Sequence, residues 1–447
     1  MAGTRKLTSL AAAGVASLLL LSACGSDGDG DEGAAPAEEG GTTPLDMWVF
    51  AELHADYYEQ MAESWNEENP DRPVDLNVTV YPYDDMHNKL QLAANAGEGL
   101  PCVVDIEVSK FGNFVTEDGR TPLMDLADAA EPYQDDIVQA RMDLYNRAGG
   151  QYGLPTHVGA FVAFYNTEAL DAAGVDYTTI ETWDDFQAAG TAYNQATGKA
   201  FGVASTGVDM VEPLITAQLG GNFFDEDGNV AVNSPEVVQA LEIEQDMLDA
   251  GAISTIPGGS PDSEEAFGAI NRGDYAAIVY PAWYTSRFVD YMPDLAGKVA
   301  IAPAPVVEGG EVATIGGGGT GTAVTEACES KELAAEWLAY AKLSPAANVA
   351  VWEVLGFDPV NMAVWEDEEV TKNPDNKFNQ YFETNLFDTL NTVKDDIGNF
   401  ESFSNPNLPA VDNIFTTVTW TEIFENGVEP QEALDQAQAD LENQIGE

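Results

Sequence analysis

Between Leu45 and Ile106 the chain changes hydrophobic period four times, and few folds accept that pattern. Leu45-Asp46-Met47-Trp48-Val49-Phe50 reads as a strand, and His54 to Asn69 as a helix that sets Tyr57, Met61 and Trp65 on one face. Pro70 and Pro73 end that helix. Val74, Leu76, Val78 and Val80 then alternate as a half-buried strand. Asp84 is expected to cap a helix running through Leu90 and Leu92 to Ala96, with Gly97 as its stop. Cys102 to Ile106, after Gly99 and Pro101, gives a third strand. Strand, helix, strand, helix, strand predicts a sheet with helices packed on it. A second region of the same kind begins near Val158, with a strand from Phe161 to Tyr165 and a helix from Trp183 to Gln195. Helices over Pro235 to Ala250, Lys331 to Leu343 and Pro430 to Ile445 complete an α/β chain.

The amino terminus is of another kind. Arg5 and Lys6 precede an apolar run from Leu10 to Ala23 that ends in Leu21-Ser22-Ala23-Cys24-Gly25, the pattern of a secretion signal closing on a lipobox. The run is too short to span a bilayer, which takes about 20 apolar residues. Cleavage before Cys24 and lipidation of its thiol would tether the mature chain outside the cytoplasmic membrane, because each buried methylene contributes about 0.8 kcal/mol. Gly25 to Pro44 holds no large apolar residue and suits an acidic spacer.

Charge narrows the partners. Removing residues 1–23 takes Arg5 and Lys6 from 17 bases, leaving 15 against 77 acids, a net charge of −62. Nucleic acid is excluded as a partner, since its affinity comes mainly from Lys and Arg on phosphates. Acids spread along the whole chain predict a solvated surface suited to high salt, where the Debye length falls to about 3 Å. Apart from Cys24 there are only Cys102 and Cys328, which stand either as a pair or as two buried thiols. Three histidines, with no HExxH or CxxC, leave no metal site to predict.

Several segments, taken in order, resemble the extracellular solute-binding proteins of sugar ABC importers, the relatives of maltodextrin-binding protein. They are Leu45 to Phe50, Gly149 to Pro155, Phe164-Tyr165-Asn166 to Leu170, Thr182 to Phe186, Gly273 to Ile278 leading to Trp283, Ile301 to Pro305, Gly316 to Gly319, and Lys331 to Trp337. The resemblance implies a two-lobe periplasmic-binding-protein-like α/β fold of type II with a ligand cleft between the lobes. One lobe is placed at residues 45–157 plus 306–346 and the other at 158–305 plus 347–447. It further implies a lipid-anchored monomer that binds a sugar, needs no cofactor, catalyses nothing and serves ABC permease subunits. Cys102 departs from the family, which has Asp after this Pro.

A sugar offers C–H faces and hydroxyl edges, so its site needs aromatic platforms beside carboxylates and amides. Trp283, after the Tyr280-Pro281 break, matches the family's stacking tryptophan. Glu52, Asp105 and Glu107 fall at or beyond strand ends, where ligands sit in open α/β sheets. Tyr165 matches an aromatic-Asn strand beside the cleft, and Trp352, with Phe357, is a candidate wall. Gly316 to Gly321 formally contains GxGxxG, but Thr322-Ala323-Val324 reads as a strand and no helix opens there, so a nucleotide site is rejected. In the family such a loop brings backbone N–H groups close to ligand, which marks Gly317 and Gly318. Lys110 stands out only because bases are scarce, with pairing to an acid as its default role. Two alternatives remain: a secreted carbohydrate-active hydrolase, and a receptor for a non-sugar solute.

Overall fold

Two sheets organise the protein, whose computed structural model describes residues 41–116, 119–208 and 210–445. The first has five strands in the order Val74–Val80, Thr43–Val49, Val103–Glu107, Thr320–Val324, Leu154–Pro155. The first three run parallel, with Trp48 opposite Thr79 and Val104, while Thr320–Val324 lies antiparallel to Val103–Glu107. The second sheet has Phe161–Asn166 at its centre, flanked antiparallel by Ala277–Pro281 and Val299–Pro303. Residues from Thr42 onward form one compact unit. Cys24 and the rest of the predicted signal and most of the spacer lie outside the described residues.

The predicted elements are present with small shifts. Helix Glu52–Glu68 buries Tyr57, Tyr58, Met61 and Trp65 on one side, as the spacing requires. Each such side chain taken from water contributes roughly 1.5–3 kcal/mol. Helix Tyr83–Ala96 ends on Gly97 in the left-handed region, but it begins one residue before Asp84, so that carboxylate sits in the first turn and not at the cap. There it still faces the positive end of the helix dipole. Helix Trp183–Thr197 opens with a reciprocal capping box between Thr182 and Asp185.

Cys102 and Cys328 are joined by a disulfide, which resolves the open alternative between a pair and two buried thiols. It closes a loop 226 residues long, worth about 5 kcal/mol on the chain-entropy account. The bond fastens the start of Val103–Glu107 to the turn after Thr320–Val324.

Three segments meet between the sheets. The stretch from His157 leads from Pro155 to Phe161, and Ile315 leads to Thr320 through the glycine run. The first packs beside Gly356–Asn361 through an isolated bridge of His157 with Pro359, and the first two are joined by a bridge of Ala160 with Gly316. Gly317 N–H donates to the Gly159 carbonyl at 2.8 Å and Val158 N–H to the Asp358 carbonyl at 3.0 Å. Both oxygens of the Asp358 carboxylate accept from this junction, from the N–H groups of Gly159 and Ala160 at 3.0 and 2.8 Å. No described helix is long and apolar enough to cross a membrane.

Candidate binding cleft

At the carboxyl end of Val103–Glu107 the chain turns into a short helix, Val108–Phe111, and the Glu107 side chain sets that turn. It accepts from Ser109 N–H at 2.8 Å, Ser109 Oγ at 2.6 Å and the Tyr83 hydroxyl at 3.2 Å. The Glu107 N–H donates to His87 Nε2 at 3.1 Å, which leaves the proton on Nδ1 to bond the Tyr83 carbonyl at 2.8 Å. Burial holds the His87 imidazolium form down, to a pKa of about 4, so the ring works as a neutral donor and acceptor. Burial and the nearby Asp412 carboxylate push the Glu107 carboxyl up.

Beside this turn opens a groove of about 970 Å³. One wall carries Asp84, His87, Asn88, Gln91, Lys110 and Asn113, and the other Asn407, Asp412, Asn413, Thr416 and Thr417. Lys110 Nζ and Asp412 face each other across it at 3.6 Å, the pairing expected of a scarce base. The lining is rich in amides, hydroxyls and carboxylates. Such groups match a neutral ligand covered in hydroxyls better than an apolar or phosphorylated one.

Trp283 stands at the end of the second sheet. Its strand stops at Pro281, and the turn Ala282–Tyr284 leaves the indole half-buried. Nε1 donates to the Gly317 carbonyl at 3.1 Å, and the Arg287 guanidinium lies 5.3 Å from the ring centroid, itself held by Asp262. The glycine run is shaped by close packing. A Cβ on Gly316 would fall 2.5 Å from Arg141 Nη1, and one on Gly319 2.6 Å from Nη2. The Gly319 carbonyl accepts from Val108 N–H at 2.8 Å, which joins the run to the Glu107 turn.

Glu107, Gly317, Gly318 and Trp283 are thus neighbours along one bonded path. Glu52 is apart, exposed on a second opening of about 590 Å³ that also holds Asp262, Arg287 and Tyr291. Three other expected contacts are interior. Asp105 accepts from Tyr58 and Thr322 at 2.7 Å each and from His54 at 3.0 Å, two residues behind the strand end and on its core face. Tyr165 stacks on Tyr177 and Phe201 inside the second sheet. Trp352 packs on Phe378 and Phe387, and Phe357 is buried between His54 and His157. The Gly317 N–H is spent on Gly159, so the run serves packing between segments as well as any surface it offers. Sequence reasoning missed His87, Asn113, Asp412, Asn413 and Thr416. They lie some 300 positions apart in two groups, and only Lys110 gave a signal.

Two sheets, segments passing between them and a polar groove walled by distant stretches of chain define a cleft receptor rather than a surface binder. The chain belongs to the bacterial extracellular solute-binding protein family, whose model matches residues 51–348. It is 42% identical over 406 residues to the arabinooligosaccharide-binding protein of Halalkalibacterium halodurans, covering 90% of this chain and 89% of that one. It is 38% identical to the arabinooligosaccharide-binding protein of Bacillus subtilis, covering 90% and 92%. Among solved structures, the binding protein of B. animalis subsp. lactis in complex with β-1,6-galactobiose superposes with a TM-score of 0.74 at 21% identity, over 90% of this chain and 97% of that one. The fold is therefore the type II two-lobe α/β fold of periplasmic binding proteins, and the named relatives are binding proteins rather than enzymes.

Proposed function

We propose that this protein is a lipid-anchored receptor outside the cell membrane that binds an oligosaccharide of arabinose between its lobes and delivers it to an ABC importer. The observation that carries this reading is the polar groove, walled by residues 84–114 on one side and 406–417 on the other and bridged by Lys110 and Asp412. Near full-length identity to two arabinooligosaccharide-binding proteins supports the cargo. The lobes divide as 45–157 with 306–346 and 158–305 with 347–447, a division in keeping with the strands each sheet uses. A ligand touching both walls favours the closed state, and a permease that recognises that state receives loaded receptor. Carboxylates and amides take the hydroxyl edges, and Trp283 supplies a face for C–H contact. Cys24 carries the lipid, and the chain acts as a monomer.

The test is intrinsic tryptophan fluorescence and melting temperature of the form lacking residues 1–24, in molar salt, titrated with arabinobiose and arabinotriose. A saturable shift is expected, with Trp283→Ala weakening binding at least 10-fold, about 1.4 kcal/mol. Silence from well-folded protein would reject the cargo and send the search to non-sugar solutes. Replacing Cys24 with Ser should release the protein into the medium, and retention in the membrane fraction would reject the anchor.

A further inference from the structure

Arg141, in the short helix Gln139–Asp143, is 4% exposed, yet it makes no ion pair within 4.0 Å among the described residues. A buried guanidinium without a carboxylate costs several kcal/mol unless its donors are used for something specific. Nη2 donates to the Gly318 carbonyl at 2.5 Å, while Nε has no partner. The preceding carbonyl, that of Gly317, is the one that receives the Trp283 indole N–H at 3.1 Å. The guanidinium lies in the space a Cβ would need at Gly316, where the Val158 carbonyl stands equally close, and at Gly319. Gly318 itself sits at φ +64°, where a substituted residue is strained.

We propose that Arg141 is a positioning residue for the Trp283 platform: its guanidinium, through the adjacent carbonyls of Gly318 and Gly317, fixes the angle at which the indole faces sugar. This deepens the receptor reading and rests on it. A helix that precedes the first passage between the sheets thereby sets a side chain at the end of a second-sheet strand. A planar fork holds a fixed direction that a lysine ammonium does not.

The experiment is a double-mutant cycle in the full mature protein, with arabinotriose as the probe. Arg141→Lys is expected to weaken binding about 10-fold and to change acrylamide quenching of tryptophan emission. Trp283→Phe keeps a ring but removes the N–H, and should weaken binding to a similar degree. The combination should be no weaker than Trp283→Phe alone, because the two changes cut one path. In the Trp283→Phe background, Arg141→Lys should leave the quenching unchanged, a readout that lost stability alone does not move. Wild-type affinity in Arg141→Lys, or an equal added loss in both backgrounds, overturns the proposal. If Arg141→Lys does not fold, Arg141→Gln decides: wild-type affinity and quenching there overturn the proposal, and a 10-fold loss with altered quenching supports it. Should Trp283→Ala bind normally, the platform and the positioning role fall together. If Trp283→Ala is inactive and Arg141→Lys is silent, only the positioning role falls.

Discussion

The protein buries two polar groups of similar size, and they are built on opposite terms. Under the first sheet, Asp105 is bonded to His54, Tyr58 and Thr322, and Lys342 reaches Tyr58 at 3.0 Å, Thr322 at 2.6 Å and also Thr156. No buried polar atom of that set lacks a partner. Where the segments pass between the sheets, Arg141 Nε, Tyr145 Oη and both ring nitrogens of His157 are buried without one. The first set ties one sheet to helices Glu52–Glu68 and Lys331–Leu343, and a satisfied network of this kind makes a lobe rigid. The second leaves buried donors and acceptors unbonded beside the segments that run from one sheet to the other. The contrast is one between these two sets of side chains, since Trp337 Nε1 and Tyr165 Oη, inside the two sheets' cores, are also buried without a partner.

The largest effect that can break this contrast comes from Asp105→Ala. It removes the carboxylate charge that acts on the buried Lys342 through the Tyr58 and Thr322 hydroxyls, and takes an acceptor from His54, Tyr58 and Thr322, so denaturant unfolding should show a loss of about 3–5 kcal/mol. A loss no larger than that of an exposed acid such as Glu52→Ala would mean the network is not what holds the lobe.

Next in size is the pH dependence, where the two regions should have opposite signs. Burial alone would raise the Asp105 carboxyl, but the His54 hydrogen bond and charge, Lys342 and Thr322 carry it below the ordinary carboxylate range. Its stabilisation is therefore present above the unfolded carboxylate pKa and is lost as pH falls through the lower folded one. Burial raises the Asp358 carboxyl to about 7, against the pull of the Ala160 and Gly159 N–H groups and of Arg141. The folded state holds that proton after the unfolded state has released it, so stability falls as pH climbs from the ordinary carboxylate range to about 7 and then levels. Unfolding free energies in molar salt across pH 3 to 9 should show both limbs, with the upper one, up to a few kcal/mol, missing in Asp358→Asn. An upper limb that survives in that variant would place its cause elsewhere.

The smallest effect is the sharpest. His157, against Phe357 at 4.8 Å between ring centroids, is kept neutral by burial and makes no hydrogen bond. His157→Phe should change stability by less than about 1 kcal/mol, whereas His54→Phe, which removes a bond to a buried carboxylate, should cost about 1.5–3 kcal/mol. Equal costs in thermal melts would erase the distinction between the regions.

How much of this was legible in the sequence depends on the range of the cause. Helix Lys331–Leu343 and strand Phe161–Asn166 follow from apolar spacing and from Pro and Gly at their ends, which act within a few residues. The place of Trp283 at a turn was legible because a proline ends its strand. Asp105 misled because it shares a face with Glu107 but lies two residues further back, where His54, Tyr58 and Thr322, all distant in sequence, close over it. Trp352 misled because its segment carries loop-like residues at 356–361, yet Phe378 and Phe387 close over it from beyond. Asp412 was invisible among 77 acids, since nothing local separates it from its neighbours.

The sequence by itself determined the alternating α/β elements, the secretion pattern at the amino terminus, the acidity and the membership of the family. All of these are properties of neighbouring residues or of the whole composition. Only the tertiary structure decided that Cys102 meets Cys328, that Asp105 belongs to the core, and that Asp412 faces Lys110 across the groove. The physical reason is that solvent exclusion and through-space charge set what a carboxylate does, and both come from chain tens to hundreds of positions away. His54 is 51 residues from Asp105 and Thr322 is 217, distances over which no local pattern carries information.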